Sequence, residues 1–428
     1  MRTIVHMPVQ PGLEPTRANR RARAAVAALF LTNGALFANL LPRYPEIKAS
    51  LELENATYGL AVAAFPTGAI AAGLFAATLI RRFGSAPVAV IGTIGTSIGI
   101  LLAGLSPSVG LFAAALFLGG AMDAVTDVAQ NAHALRVQRG YGRSILNSFH
   151  AVWSIGAVLG GSMAAGAIAI DLPIGLHLFI SAVLFAAVSL VTLRFCLPGL
   201  DRPTGQDSGA GPEAPGSGVR IGARTLALLA ALVLIAIAGT LVEDAGNSWA
   251  ALYLGDTLGA PAALAATGYI AMVGTQFIGR IAGDRLVDRF GQRTVARTGG
   301  IVVALGMGVA LALPTVPGTI AGFGLAGLGV ATLVPAAMSE ADALPGLRHG
   351  TGLTVVSWLM RLSFLLSPPL VGLVSDATSL RTGLLVIPLA GVLVVLLAQV
   401  LPRRITRVLP PAAGPADGHR RPAPPPAA

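Results

Sequence analysis

The chain has 428 residues, 54% of them hydrophobic and 11% charged, with a formal charge of +10. That is too little charge to cover a soluble molecule of this length, while apolar runs near twenty residues suit a path across about 30 Å of hydrocarbon. The arginines punctuate those runs instead of gathering on one basic face, which excludes nucleic acid as a partner, and the single cysteine, Cys196, excludes a disulfide framework or a thiolate metal cluster.

Residues 1–22 read as a cytoplasmic tail, and the apolar run after Arg23 has no early small-residue cleavage site, so it is expected to be an uncleaved first helix. Charges and Pro/Gly clusters place twelve helices at roughly 24–42, 57–80, 86–104, 109–135, 144–170, 174–196, 224–254, 262–283, 295–313, 316–340, 350–375 and 382–401. Residues 23–196 would form one six-helix bundle and 223–401 a second. Between them, residues 197–222 are too rich in Gly, Pro and polar residues to bury a core and read as a cytoplasmic linker, and residues 402–428 as a disordered tail. The expected fold class is an all-α membrane protein with twelve transmembrane helices.

Positive residues are retained on the cytoplasmic side during insertion. With the N-terminus inside, Arg17 to Arg23, Arg81, Arg82, Arg136 to Arg143, Arg202 to Arg224, Arg280 to Arg297, Arg348 and the last arginines all fall in the cytoplasm or at its interface. Only Arg43, Lys48 and Arg381 fall outside, and Arg361 lies within a helix. Both termini are therefore expected in the cytoplasm. The excess of arginine over lysine in an Ala-, Gly- and Pro-rich chain points to a bacterium of high GC content, and so to its inner membrane.

Ionisable groups in hydrocarbon are costly, by about 2.5 to 3.5 kcal/mol on insertion scales, and they usually face a cavity. The first helix carries Asn33 and Asn39. The fourth carries Asp123, Asp127 and Asn131 at spacings of four, hence on one face. Two carboxylates so close cannot both ionise cheaply, so one of them is a candidate proton carrier. His150 and Trp153 follow on the fifth helix, the first suited to proton transfer or donation to substrate oxygens, the second to stacking on a flat ring.

The seventh helix brings Glu243 and Asn247, with Asp244 beside them and Trp249 placed to join an interfacial belt; Gln276 on the eighth is a further cavity candidate. Trp358 and Arg361 lie on the eleventh. Arg361 is too deep to snorkel and needs a partner. Glu243 is the expected one, with Asp123 across the cavity as the alternative. The candidate set is thus Asp123, Asp127 and Glu243 for protons, and Asn33, Asn39, Asn131, His150, Trp153, Asn247, Gln276, Trp358 and Arg361 for substrate.

Charge concentrates in GRIAGDRLVDRFGQR, Gly279 to Arg293, and Arg82-Phe83-Gly84 recurs there as Arg289-Phe290-Gly291, half a chain later. Two halves carrying the same turn imply an internal duplication and so pseudo-symmetric bundles.

The turn GDRLVDRFGQR resembles the loop signature of the major facilitator superfamily, secondary transporters of twelve helices. RYPEIK, DVAQNAHAL, GRSILNSFHAVWSIGAVLGG, LVEDAGNSWAALYLGDTLG and SPPLVGLVSDATSLR are similar to a bacterial branch related to fucose permeases. The resemblance spans nearly the whole chain. It implies alternating access and a cytoplasmic gate built from Arg143, Asp284, Arg285, Asp288, Arg289, Gly291 and Arg293. In that gate Asp288 would face the start of the fifth helix, where free N–H groups and the macrodipole favour a carboxylate.

The first-half turn departs from the signature, with Arg81 where an acid is usual and Pro87 and Val88 at the later basic positions. The branch's acid on the first helix is also missing, and Ala157 stands where drug exporters carry proline. The expected function is therefore a proton-coupled transporter of a small, polar, sugar-like solute. A proton-antiport exporter of amphipathic compounds and a transport-inactive sensor are the alternatives. The partners are that solute, protons and the lipid bilayer, with no cofactor and no metal, and the chain is expected to be a monomer. No GxxxxGK[ST] loop or HExxH pair gives an enzyme a foothold.

Overall fold

The computed structural model describes residues 16–141, 145–200, 222–347 and 351–402. Twelve helical spans cross it: α1 (Arg17–Ser50), α2 (Asn55–Phe83), α3 (Ser85–Gly104), α4 (Val109–Arg139), α5 (Leu146–Ala169), α6 (Ile174–Leu193), α7 (Ala223–Thr257), α8 (Ala262–Phe290), α9 (Gln292–Ala312), α10 (Val316–Asp342), α11 (Thr351–Ala377) and α12 (Leu380–Val400). The largest departure from the sequence expectation is α1, which starts earlier and continues through a 3-10 turn at Leu41–Arg43 into a helical tail. Leucines and phenylalanines such as Leu74, Phe75, Leu305, Leu389 and Leu396 face outward, as an acyl-chain environment requires.

Duplication is visible in the packing. In the first half, α1 packs on α5 and α6, α3 on α6, and α4 on α2 and α3; in the second, α7 packs on α11 and α12, α9 on α12, and α10 on α8 and α9. The repeated turns match as well. Gly84 and Gly291 end their helices at φ 85° and 82°, a region that favours glycine, and Arg82 and Arg289 each stack on the following phenylalanine at 5.3 and 5.4 Å. Apolar helices gain nothing from burying oil against oil in a bilayer, so close backbone approach supplies much of the adhesion. A Cβ on Gly34 would lie 2.1 Å from the carbonyl oxygen of Trp153, and one on Gly156 2.1 Å from that of Leu31, which locks α1 to α5.

Between the halves, α5 meets α8 and α2 meets α11. One end of the molecule is shut by an aromatic plug of Tyr44, Tyr58, Phe112 and Trp249, all fully buried. Tyr58 sits with its ring 5.6 Å from that of Tyr44 and 5.0 Å from that of Trp249, and its hydroxyl donates to the Ser248 carbonyl at 2.8 Å. Trp249 is thus a core residue of the plug and not part of an interfacial belt. The other end, where the repeated turns lie, is open.

Candidate functional site

A cavity of about 1110 Å³ separates the halves and is lined as far as Val287, Asp288 and Gln292, so it opens at the turn end. From the first half, Asn33, Asp123, Asp127, His150, Trp153 and Ser154 line it. Asn33 is the hub. Its amide donates to Asp123 Oδ1 at 2.7 Å, and its own oxygen accepts from Trp153 Nε1 at 2.8 Å, tying α1, α4 and α5 together. Gln130, fully buried, reaches the same oxygen at 3.5 Å. Neither His150 nor Arg361 acts on Asp123; both lie within electrostatic reach of Asp127 instead. Asn131 donates to Asp127 Oδ1 at 2.9 Å, fixing the rotamer one turn along α4.

The expected ion pair of Glu243 with Arg361 is not formed. Glu243 Oε2 accepts from Gln276 Nε2 at 2.9 Å and lies 3.7 Å from Arg280, both on α8. Arg361 is exposed on α11 and faces Asp127 electrostatically, so neither Glu243 nor Asp123 is its partner. Arg280, read from the sequence only as a positive-inside residue, is the cation beside Glu243 and lines the cavity. Its spacing of four from Gln276, which puts both on one face of α8, was the signal available.

Of the substrate candidates only Asn33, His150 and Trp153 line the cavity; Asn131, Gln276 and Arg361 are not among its lining residues, and the other three lie elsewhere. Asn39 is fully buried away from the cavity: it accepts from the His177 ring at 2.9 Å and Ser181 at 3.2 Å, and donates to the Ala35 carbonyl at 2.8 Å, a polar clasp between α1 and α6. Asn247 has its side-chain oxygen buried beside the plug and does not line the cavity, and Trp358 is exposed on α11 outside it.

The gate residues divide in the same way. Arg143 and the Asp284 side chain lie outside the described residues. Asp288 lines the open cavity, and the first free N–H groups at the start of α5 are taken by its own half: Gln138 Oε1 accepts from Ile145 N at 2.8 Å and Leu146 N at 3.1 Å. Arg285 and Arg289 are exposed, and Gly291 forms the turn. Arg293 is not poised on the opposite half. Its Nε donates to the Leu401 carbonyl at 2.8 Å and its guanidinium also reaches the Gln399 carbonyl, holding the last turn of α12, where a cation suits the macrodipole.

A serine-hydrolase elbow pattern does occur in the letters Gly95-Thr96-Ser97-Ile98-Gly99, but it lies within the continuous helix α3, where Ser97 is buried and donates to the Thr93 carbonyl at 2.8 Å. No sharp turn exposes it, so it has no nucleophile geometry.

Comparison with known proteins agrees with this architecture. The family described as Major Facilitator Superfamily matches residues 26–286 and 245–426. An uncharacterized transporter of Sinorhizobium fredii is 32% identical over 364 residues, covering 85% of this chain and 94% of its own. Among solved structures, a D-xylose-proton symporter superposes with a TM-score of 0.67 at 16% identity, over 90% of this chain and 98% of its own. A bacterial homologue of the human lysosomal transporter Spinster, in an inward-facing and unoccupied conformation, gives 0.67 at 14% identity over 91% and 98%.

Proposed function

We propose that this chain, which belongs to the Major Facilitator Superfamily and is therefore a multi-pass membrane transporter and not an enzyme, is a proton-coupled carrier of a small, polar, sugar-like solute. The carrying observation is the floor of the cavity. Asp123 takes an amide donor from Asn33, makes no ion pair among the described residues, and has Asp127 one turn away. A carboxylate so placed is far cheaper to neutralise by a proton than to keep charged without a cation. Asn33 and Trp153 beside it offer an amide and an indole face to a hydroxylated ring. A sugar-proton symporter among the structures of the same fold is consistent with that reading.

The arginine distribution assigns the turn end to the cytoplasm, both termini with it, in a bacterial inner membrane. The state described is then inward-open, and transport consists of closing the turn end and opening the plug end around the cavity. The protein acts as a monomer.

The test uses Asp123→Asn in proteoliposomes, with a substrate first found by a thermal-shift screen of sugars, sugar acids, nucleosides and drugs on the purified chain. Proton-driven accumulation is abolished while counterflow exchange persists. Unchanged proton dependence removes Asp123 from the mechanism.

A further inference from the structure

The helix-eleven segment SPPLVGLVSDATSLR contains Pro368, Gly372 and Asp376 at spacings of four, so they share one face of α11. That face lies on the first turns of α2, in the other half. A Cβ on Gly59 would fall 2.3 Å from the Pro368 carbonyl oxygen, and one on Gly372 would fall 2.3 Å from that of Asn55. Backbone therefore meets backbone, with no side chain between.

At the end of this contact α2 lacks a cap of its own. Glu54 occupies the N-cap position and its side chain makes no capping bond. The acceptors come from across the interface: Asp376 Oδ1 accepts from Asn55 N at 3.0 Å and Asn55 Nδ2 at 2.8 Å, and Asp376 Oδ2 accepts from Ala56 N at 2.6 Å. A carboxylate on the free N–H groups of a helix start, at the positive end of its dipole, is the strongest form a cap takes. Three bonds to one ionised group are also charge-assisted. Gly59 and Gly372 let the helices come near enough for so short a side chain to span the gap.

The far end of the molecule presents the complementary condition. There the first free N–H groups of α5 are served within their own half by Gln138, and Asp288 of α8 stands in the open cavity. One inter-half pair, α2 with α11, is joined by an acid on a helix start, while among the described residues no such bond joins the other, α5 with α8.

We propose that Asp376 is the latch of the plug end, a positioning residue whose grip on α2 holds that end shut and whose release accompanies its opening. The proposal rests on the alternating-access reading, but its test needs no substrate. In the full chain carrying Cys196→Ser, a reporter cysteine is placed either at Ser248, inside the shut plug, or at Ser339, in the open cavity, and labelled with a membrane-impermeant maleimide in vesicles of each orientation. With Asp376→Ala, labelling at position 248 from the face of Arg43 and Lys48 rises about tenfold, and labelling at 339 from the opposite face falls. Asp376→Asn and Asn55→Ala, which each leave part of the cap, shift both rates in the same directions by less. Thr378→Ala, a neighbouring exposed change, leaves them at the parent values.

A purely structural role would lower the melting temperature without moving the two rates in opposite senses. Parent labelling at both positions in Asp376→Ala and Asp376→Asn overturns the latch. A chain that shows the reciprocal shift yet carries no substrate under any gradient would overturn the transport reading and leave the latch standing.

Discussion

Replacing Gly34 by alanine tests whether close backbone approach holds the cavity floor together. The added Cβ would lie 2.1 Å from the Trp153 carbonyl oxygen, 3.0 Å from its carbon and 3.1 Å from Ala157 N. Backbone cannot swing aside as a side chain can, so α1 and α5 must separate by about 1 Å to reach ordinary contact. Overpacking of this kind costs about 1 to 3 kcal/mol, against at most about 1 kcal/mol returned by the better helix propensity of alanine. For a chain of 428 residues the expected result is a melting temperature lower by roughly 2 °C.

The chain supplies its own reporter for that measurement. Its one cysteine, Cys196, is buried, and burial pushes the thiol up to about 11, so little reactive thiolate exists until the fold opens. A thiol-reactive fluorogenic dye in a thermal ramp therefore reads unfolding without an introduced label. Gly166→Ala, on α5 with nothing within 4 Å of its added Cβ, is the control and should melt at or above the parent temperature. Separation of α1 from α5 would also stretch the 2.8 Å bond from Trp153 to Asn33, so transport by Gly34→Ala should fall more than its folded fraction does. Equal melting temperatures for the two alanine variants would refute the argument.

Two further changes separate scaffold from site. Asn39→Leu removes the acceptor of His177 and Ser181 in a buried clasp and should cost about 1 to 3 kcal/mol of stability, while the folded fraction keeps the parent KM; an altered KM would return Asn39 to the substrate path. Arg293→Ala frees the Leu401 and Gln399 carbonyls and should loosen the end of α12, seen as faster amide hydrogen exchange there and a loss of about 1 kcal/mol, with Arg293→Lys restoring only part because a single ammonium cannot reach both acceptors as the planar fork does.

The architecture was legible because it is written in features that act locally. Runs of a spanning length, the Arg-Phe-Gly repeat and its left-handed glycines each carry their consequence within a few residues. Rotation about each helix axis was not. In water one face of a helix is apolar and the other polar, which sets its orientation; here both faces are apolar and the pattern loses that information. Asn33 and Asn39 show the result. Six residues at about 100° each put them on different sides of α1, so one joins Asp123 in the cavity and the other turns to His177 on α6.

Partner choice over long separations was equally hidden. Glu243 and Arg361 sit on neighbouring helices, but neighbouring helices admit many rotations, and α8 brings Gln276 and Arg280 to Glu243 first. Gln138 at the start of α5 carried no signal at all, since its capping oxygen comes from the preceding helix and its sequence context is merely polar.

Asp123 and Glu243 are partnered differently, and that difference bears on which of the two would carry a proton. Glu243 has an amide and a cation beside it, at 2.9 and 3.7 Å, so its charge is answered within the second half. Asp123 has an amide alone, and the cationic groups that reach toward the first half meet Asp127. A proton added to Glu243 would leave Arg280 facing an uncharged partner, whereas a proton added to Asp123 would remove a charge that nothing nearby balances. The first costs an interaction and the second relieves a penalty. That contrast is the ground for placing the proposed proton coupling on Asp123 and for giving Glu243 the task of holding α8 against α7. The double change Glu243→Gln with Arg280→Gln should accordingly keep proton-driven uptake that Asp123→Asn loses, and loss in both would show that the second half carries part of the coupling.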